Sequence, residues 1–332
     1  MKKLLERLAI SLFLAVVVYA AVSFFADLEK LWQALRRFPV DVFIWACLLA
    51  CGNYLFRFLK WQFYLNCLNI DIVWTRSLGI FLSGFVMSVT PGKIGEVFKA
   101  YLMKCSNNVP MTKTTSVVVA ERVTDLMAIL LLTLVGVSTF SSARILVLVG
   151  GLFVIGFIFV ISSEKLCLGM LRMISRLPRL GSVAEKMEEF YKSISELLKP
   201  WPLFVGGLLS VFGWSLEAVA FFFLLRAFPL VEAEILTAFM IYSFSTAAGA
   251  LSFLPGGLGV TEGGMIALLI ETVKGATKTI SVAATLLIRL ATLWFAVLLG
   301  FISLGWMRLV VGPSFWRMNP REMEKEIKRN NE

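Results

Sequence analysis

Ser88-Val89-Thr90-Pro91-Gly92-Lys93-Ile94-Gly95-Glu96 interrupts an otherwise apolar segment of about 77–104 near its middle. A second apolar segment, about 236–271, is interrupted in the same manner by Phe253-Leu254-Pro255-Gly256-Gly257-Leu258-Gly259. Proline removes a helix donor and clashes with the preceding turn, and glycine weakens a helix by its freedom. Each segment therefore reads as two half-helices about a tip. Irregular backbone at membrane depth survives only where protein or a water-lined cavity covers it, so these two places carry the most information in the chain.

The surrounding sequence sets the membrane context. Of 332 residues, 58% are hydrophobic and 16% charged, with a mean hydropathy of +0.83, against roughly a quarter charged in a soluble domain. So much apolar surface cannot be hidden in one soluble core. Apolar runs at about 8–25, 41–65, 115–138, 145–162, 202–225 and 279–306 each read as a full span, since about 20 residues cross the hydrocarbon layer. The run at 8–25 is longer than the roughly 7–15 residues of a signal-peptide core and reads as a retained span. The expected fold class is an all-α polytopic membrane protein, with six full spans plus two re-entrant broken-helix hairpins in an inverted repeat.

Charge sets the orientation. Lys2, Lys3 and Arg7 place the amino terminus in the cytoplasm. If both broken segments enter and leave on one side, the loop of 163–201 is cytoplasmic, with Lys165, Arg172, Arg176, Arg179, Lys186, Lys192 and Lys199. So is the tail with Arg308, Arg317, Arg321, Lys325, Lys328 and Arg329. A crossing first segment would export those seven loop cations, so re-entry is expected, in the cytoplasmic (inner) cell membrane, multi-pass, with both termini cytoplasmic. The loop has a helical pattern with Leu, Met and Phe on one side, as for a helix lying on the membrane surface. The formal charge of +10 then belongs to basic loops, and no nucleic-acid partner is expected.

The two halves echo each other. Arg122 stands 31 residues beyond Pro91, and Arg289 stands 34 beyond Pro255. Three full spans, an odd number, separate the broken segments, so the second copy should be upside down. The expected layout is one membrane domain, 1–332: a first repeat at 40–138, a connecting span and surface helix at 145–199, an inverted second repeat at 202–306, and a cytoplasmic tail at 307–332. Inverted repeats with discontinuous helices hold their substrate near the midplane.

The chain contains no histidine, the commonest general base and metal ligand. Cys47, Cys51, Cys67, Cys105 and Cys167 form no CxxC pair and read as small packing residues. No cofactor, metal or catalytic residue is expected. The second arm of each hairpin begins at its tip, so its unpaired N–H groups and positive dipole end point into the membrane centre. Gly92, Gly95, Gly256, Gly257 and Gly259 let a ligand come close, and two facing termini would suit an anion such as a lipid phosphate. The plainer reading of these glycines is close helix packing. Arg57, Lys93, Glu96, Glu121, Arg122, Asp125, Glu217, Glu262 and Arg289 lie within or beside apolar runs. Each would cost about 2.5–3.5 kcal/mol alone at a helix centre, so they must pair or face water. Glu121 and Asp125 share a helix face, with Arg122 turned about 100° away. Either a hydrated cavity or an ion-pair network that merely holds the bundle accounts for them. Lys60, Trp61, Tyr64 and Trp74 read as interfacial anchors.

Four motifs carry a family resemblance: Thr90-Pro91-Gly92-Lys93-Ile94-Gly95-Glu96 with Lys99 and Tyr101; Glu121-Arg122-Val123-Thr124-Asp125; Leu254-Pro255-Gly256-Gly257-Leu258-Gly259-Val260-Thr261-Glu262; and Ile288-Arg289-Leu290 with Trp294. Together, in this order and over nearly the whole chain, they resemble the lysylphosphatidylglycerol synthase transmembrane (flippase-like) family. In multidomain relatives a soluble domain follows, which transfers an aminoacyl group to phosphatidylglycerol. This chain ends at Glu332, so the synthase half and its activity are not expected, and the chain is not read as an enzyme.

The resemblance implies a lipid flippase or transporter that moves an anionic headgroup, phospho- or polyprenyl-phosphate-linked. The alternative is a non-transporting lipid-binding subunit that scaffolds a lipid synthase or glycosyltransferase. Membrane lipids are the implied partners, with such a separate synthase or glycosyltransferase in the second case. Gly92, Lys93, Gly95, Gly256, Gly257 and Gly259 would line the headgroup site, and Arg122 and Arg289 would neutralise a phosphate. Glu96, Glu121, Asp125 and Glu262 would balance those cations, accept a headgroup amine or carry a coupling proton. Arg57 and Glu217 complete the candidate substrate-binding set.

Overall fold

A computed structural model describes residues 27–89, 95–135, 181–252 and 254–311, together with residues 17 and 19 and parts of 148–159. The described residues are helical, apart from turns and one antiparallel bridge between Glu232 and Lys274. Among the described residues three helices are long and apolar enough to cross a membrane: Val40–Cys67, Pro200–Arg226 and Lys278–Leu309. They coincide with the runs expected at 41–65, 202–225 and 279–306. The runs at 8–25 and 145–162 lie almost wholly outside the described residues.

In chain order, α1 is Leu28–Arg36, α2 Val40–Cys67 and α3 Trp74–Ser83, which tightens into a 3-10 turn at Gly84–Met87. Helices α4 (Gly95–Asn107) and α5 (Met111–Val135) complete the first half. After α6 (Gly181–Leu197) the second half holds α7 (Pro200–Arg226), α8 (Ile235–Leu251), a short turn at Pro255–Gly257, α9 (Val260–Thr272) and α10 (Lys278–Arg289). A π turn, Leu290–Trp294, joins α10 to α11 (Phe295–Val311) without a break. Helix α5 has 25 residues, about 37 Å of helix. Its length suits a span, and only Glu121, Arg122 and Asp125 set it apart from the plainly apolar helices.

Glycine fixes how these helices meet. A β-carbon at Gly52 would lie 2.7 Å from Leu216 Cδ1, one at Gly213 3.3 Å from Asn53 Nδ2, and one at Gly206 1.9 Å from the Tyr64 hydroxyl. Numbers rise along α2 as they fall along α7, so this closely packed pair is antiparallel. Helices α8 and α9 also run antiparallel, with Gly249 against Thr261 and Gly264 against Ser245. The long helix of each half packs on the broken segment of the other. Helix α5 runs along α8, and α11 runs along α3 and its 3-10 turn. At the latter seam Gly79 abuts Met307, Gly300 abuts Val86, and the Ser303 hydroxyl donates to the Gly79 carbonyl at 2.9 Å. Small residues let backbones approach so closely where lipid supplies no hydrophobic drive.

The halves share further measure. Arms α4 and α9 each have 13 residues. Arg122 and Arg289 are each the twelfth residue of the helix that follows, counted from Met111 and Lys278.

Two expectations need correction. Lys60, Trp61 and Tyr64 are not interfacial anchors. All three are fully buried in protein, with the Trp61 indole donating to Ser77 Oγ at 3.0 Å. Trp74 alone of that group is exposed. Helix α6, the described helix of the 163–201 loop, turns much of its apolar side to protein and leaves Met187 exposed. Tyr191, Ile194 and Leu197 are buried against the protein, and Thr112 and Ser116 of α5 hydrogen-bond to Glu189 and to the Phe190 carbonyl.

Candidate functional site

The second tip is built by glycine in a conformation other residues resist. Gly256, Gly257 and Gly259 have φ of +59°, +68° and +86°, the left-handed region that glycine enters without penalty. The turn lets the Glu262 carboxylate reach back, where Oε2 accepts the Gly259 N–H at 2.7 Å. The amino end of α9 is thus capped by the chain's own carboxylate, which satisfies the donor expected to meet an anion. Arg289 locks this arrangement. Its Nε lies 2.7 Å from Glu262 Oε1, and its Nη2 donates to the Gly256 carbonyl at 2.6 Å. The Tyr19 hydroxyl donates to Glu262 Oε1 at 3.4 Å and accepts the Trp294 indole N–H at 2.9 Å.

The first half holds a second buried network. Lys60 Nζ of α2 lies 2.6 Å from Asp125 Oδ1 and donates to Ser210 Oγ of α7, also at 2.6 Å. Asp125 Oδ1 also accepts from Ser210 Oγ at 3.0 Å and from the Trp214 indole at 3.1 Å, while Arg122 Nη2 approaches Oδ2 at 3.0 Å. Lys99 of α4 pairs with Glu121 Oε2 at 2.6 Å and sits 4.5 Å from the centre of the Trp61 ring. Glu121 and Asp125 are therefore held by ammonium groups, and the four helices α2, α4, α5 and α7 are tied together.

Between the networks stand Arg57, Asn53, Tyr54 and Glu217. The Tyr54 hydroxyl donates to the Thr292 carbonyl inside the π turn, and Tyr242 donates to Glu217. Arg57 lies over the Phe85 ring, 5.4 Å from its centre. Glu217 is within coulombic range of Arg57, Arg289 and Asp125. The two interrupted segments touch here: a β-carbon on Gly256 would lie 3.5 Å from Val89 Cγ1 and 3.7 Å from the Ser88 carbonyl.

A family model, "Lysylphosphatidylglycerol synthase TM region", matches residues 11–300. The chain belongs to this family. Among its relatives is a UPF0104 membrane protein of Pyrococcus horikoshii, 23% identical over 317 residues, 87% of this chain and 94% of that protein. Another, from Methanothermobacter thermautotrophicus, is 24% identical over 322 residues, 89% and 94% of the two chains. A third, from Methanocaldococcus jannaschii, is 28% identical over 224 residues, 66% and 92% respectively.

Of the candidates read from sequence, this family member brings Arg57, Glu121, Arg122, Asp125, Glu217, Gly256, Gly257, Gly259, Glu262 and Arg289 into one central region. Gly92 and Lys93 lie outside the described residues, and so does the Glu96 side chain; Gly95 opens α4. Sequence reasoning missed Asn53, Tyr54, Lys60, Ser210, Trp214 and Tyr242. One signal was available for Lys60: it is three residues from Arg57 and within the same apolar run, where two cations on nearby turns call for a shared acidic partner.

Proposed function

We propose that this protein is a lipid flippase or lipid-headgroup transporter of the cytoplasmic membrane, which moves a lipid with an anionic, phosphate-bearing headgroup and makes no bond in it. One observation carries the reading. The two interrupted segments meet, Gly256 against Ser88 and Val89, amid buried ionisable side chains drawn from both halves. A bundle that only had to span the membrane would have no reason to retain such residues at its centre, given what each costs there.

The proposed topology is six full spans with two re-entrant hairpins in an inverted repeat, both termini cytoplasmic. The antiparallel packing of α2 on α7, the first helices of the two proposed repeats, supports inversion. The 13-residue arms α4 and α9 reach only about 20 Å against a hydrocarbon layer of about 30 Å, which supports re-entry. Each long helix rests on the other half's hairpin, so a rocking of one half against the other would open the centre to either side in turn.

A second reading, a non-transporting subunit that binds lipid and scaffolds a separate lipid synthase or glycosyltransferase, draws on the ion pairs. Lys60–Asp125, Lys99–Glu121 and Arg289–Glu262 close on one another at 2.6–2.7 Å. Reconstitution into vesicles with fluorescent phospholipids of several headgroups, followed by chemical quenching of the outer leaflet, separates the two. Protein-dependent lipid movement that Arg289→Ala abolishes is expected. No movement with any headgroup overturns transport and leaves the scaffold.

A further inference from the structure

We infer that the phosphate oxygens of the headgroup are bound by Arg57, with Asn53 beside it, and that Arg122 and Arg289 serve to hold the fold. This rests on the lipid-handling reading above and names the residues of that site.

The central region carries five described cations: Arg57, Lys60, Lys99, Arg122 and Arg289. Four of them have a carboxylate within 3.0 Å: Lys60 and Arg122 share Asp125, Lys99 has Glu121, and Arg289 has Glu262. Arg57 makes no ion pair or hydrogen bond among the described residues; its contact is the Phe85 ring. A cation over an aromatic face gains less than an arginine costs at a helix centre. Snorkelling does not close the difference. Arg57 is the eighteenth of the 28 residues of α2, so the nearer helix end is about 15 Å away, beyond the reach of the side chain. Among the described residues Glu217 is within coulombic range of Arg57 but forms no ion pair with it, and an anion bound from outside the chain would complete the balance.

Asn53 supplies the second observation. It is one turn before Arg57 on the same face of α2, fully buried, and neither its Oδ1 nor its Nδ2 has a hydrogen-bond partner. Buried amides left without partners are rare, and this one faces the notch left by Gly213 on α7. A planar guanidinium offers two parallel donors to a phosphate, and the amide N–H adds a third from one turn away. Charge agrees with a phosphodiester. The five cations face four described carboxylates, Glu121, Asp125, Glu217 and Glu262, an excess of one positive charge that a single phosphodiester neutralises. Phe85 belongs to the first broken segment and Gly213 to the second half, so the bound group would touch both moving parts.

The test uses the full chain purified in detergent, with retention of phosphatidylglycerol, phosphate-free diacylglycerol and inorganic phosphate measured by native mass spectrometry, and thermal stability measured without added lipid. Wild type should retain phosphatidylglycerol about tenfold better than diacylglycerol. Arg57→Gln should lose that preference by about tenfold, Asn53→Ala by less, and Arg57→Lys should recover part of it. Arg122→Gln should melt lower yet keep the preference within about twofold. Because Arg57 makes no ion pair or hydrogen bond among the described residues, Arg57→Gln should melt close to wild type. Phosphatidylglycerol retention that ignores Arg57, or an Arg57→Gln protein that melts as low as Arg122→Gln, overturns the assignment. Arg57-dependent binding of inorganic phosphate with no phospholipid retained keeps the site but moves its ligand out of the lipid. Arg57-dependent phospholipid binding in a protein that moves no lipid between leaflets sinks transport and leaves this inference standing.

Discussion

Replacing Lys60 by methionine tests the buried network most directly. The side chain is 0% exposed, and Nζ lies 2.6 Å from both Asp125 Oδ1 and Ser210 Oγ. Methionine fills most of the volume, so packing changes little and the loss is electrostatic. Breaking a buried pair by removing one partner costs about 3–5 kcal/mol. Arg122 stays 3.0 Å from the other carboxylate oxygen, and the Trp214 indole still donates to Asp125, which places Lys60→Met at the low end, about 3 kcal/mol. The double variant Lys60→Met with Asp125→Asn removes both charges, and it should be less destabilised than the sum of the singles by about 2 kcal/mol, as contacting residues couple by about 0.5–3 kcal/mol. Equilibrium unfolding in mixed micelles, monitored by tryptophan fluorescence, measures all three. A single variant within about 0.5 kcal/mol of wild type, the size of an ordinary surface substitution, would mean that Lys60 is not the tie between α2, α5 and α7.

Three further outcomes follow from the same geometry. Gly206→Leu should abolish stable expression, because even a β-carbon there meets the buried Tyr64 hydroxyl at 1.9 Å, whereas Gly207→Ala, which faces open space, should express and melt as wild type in size-exclusion thermostability assays. Gly257→Ala should lose about 1–2 kcal/mol from its left-handed backbone alone and more from the Thr261 hydroxyl 2.6 Å away, while Gly263→Ala, with nothing in contact, should be silent. Glu262→Ala leaves Arg289 without its carboxylate and the Gly259 N–H without its acceptor; a loss of about 3–5 kcal/mol should be partly restored by adding Arg289→Met, and failure of that rescue would count against the pairing.

The architecture was legible where chemistry is local. Proline and glycine at 255–259 announced an interrupted helix because they act on their own backbone, whereas Pro91 and Gly92 lie outside the described residues; the equal setting of Arg122 and Arg289 showed through the near-equal spacings. What the sequence hid were partnerships across long separations. Lys60 beside Trp61 looks like a headgroup anchor, since a basic residue next to an aromatic is the usual signature of that layer. Only the arrival of α5 and α7, 65 and 150 residues later, turns it into a buried tie. The second tip was read as an open anion site because its donors are implied by the turn. Yet Glu262 stands three residues beyond Gly259, the spacing of a capping box, so its closure of the helix end was legible there. Asn53 drew no notice because an amide in an apolar run is informative only once its surroundings prove to be without partners.

The exchange of helices between the two halves bears on how the protein is made. The first broken segment finds its cover only in α11, which pairs Met307 with Gly79 and Gly300 with Val86. More than 200 residues must leave the ribosome before that cover exists. Until then the face of α3 that carries Gly79 and Ser83, which Ser303 of α11 later meets, stands open to lipid, and the insertion machinery or a membrane chaperone has to shelter it. Truncation anywhere before α11 should therefore be seen first by quality-control proteases acting in the bilayer.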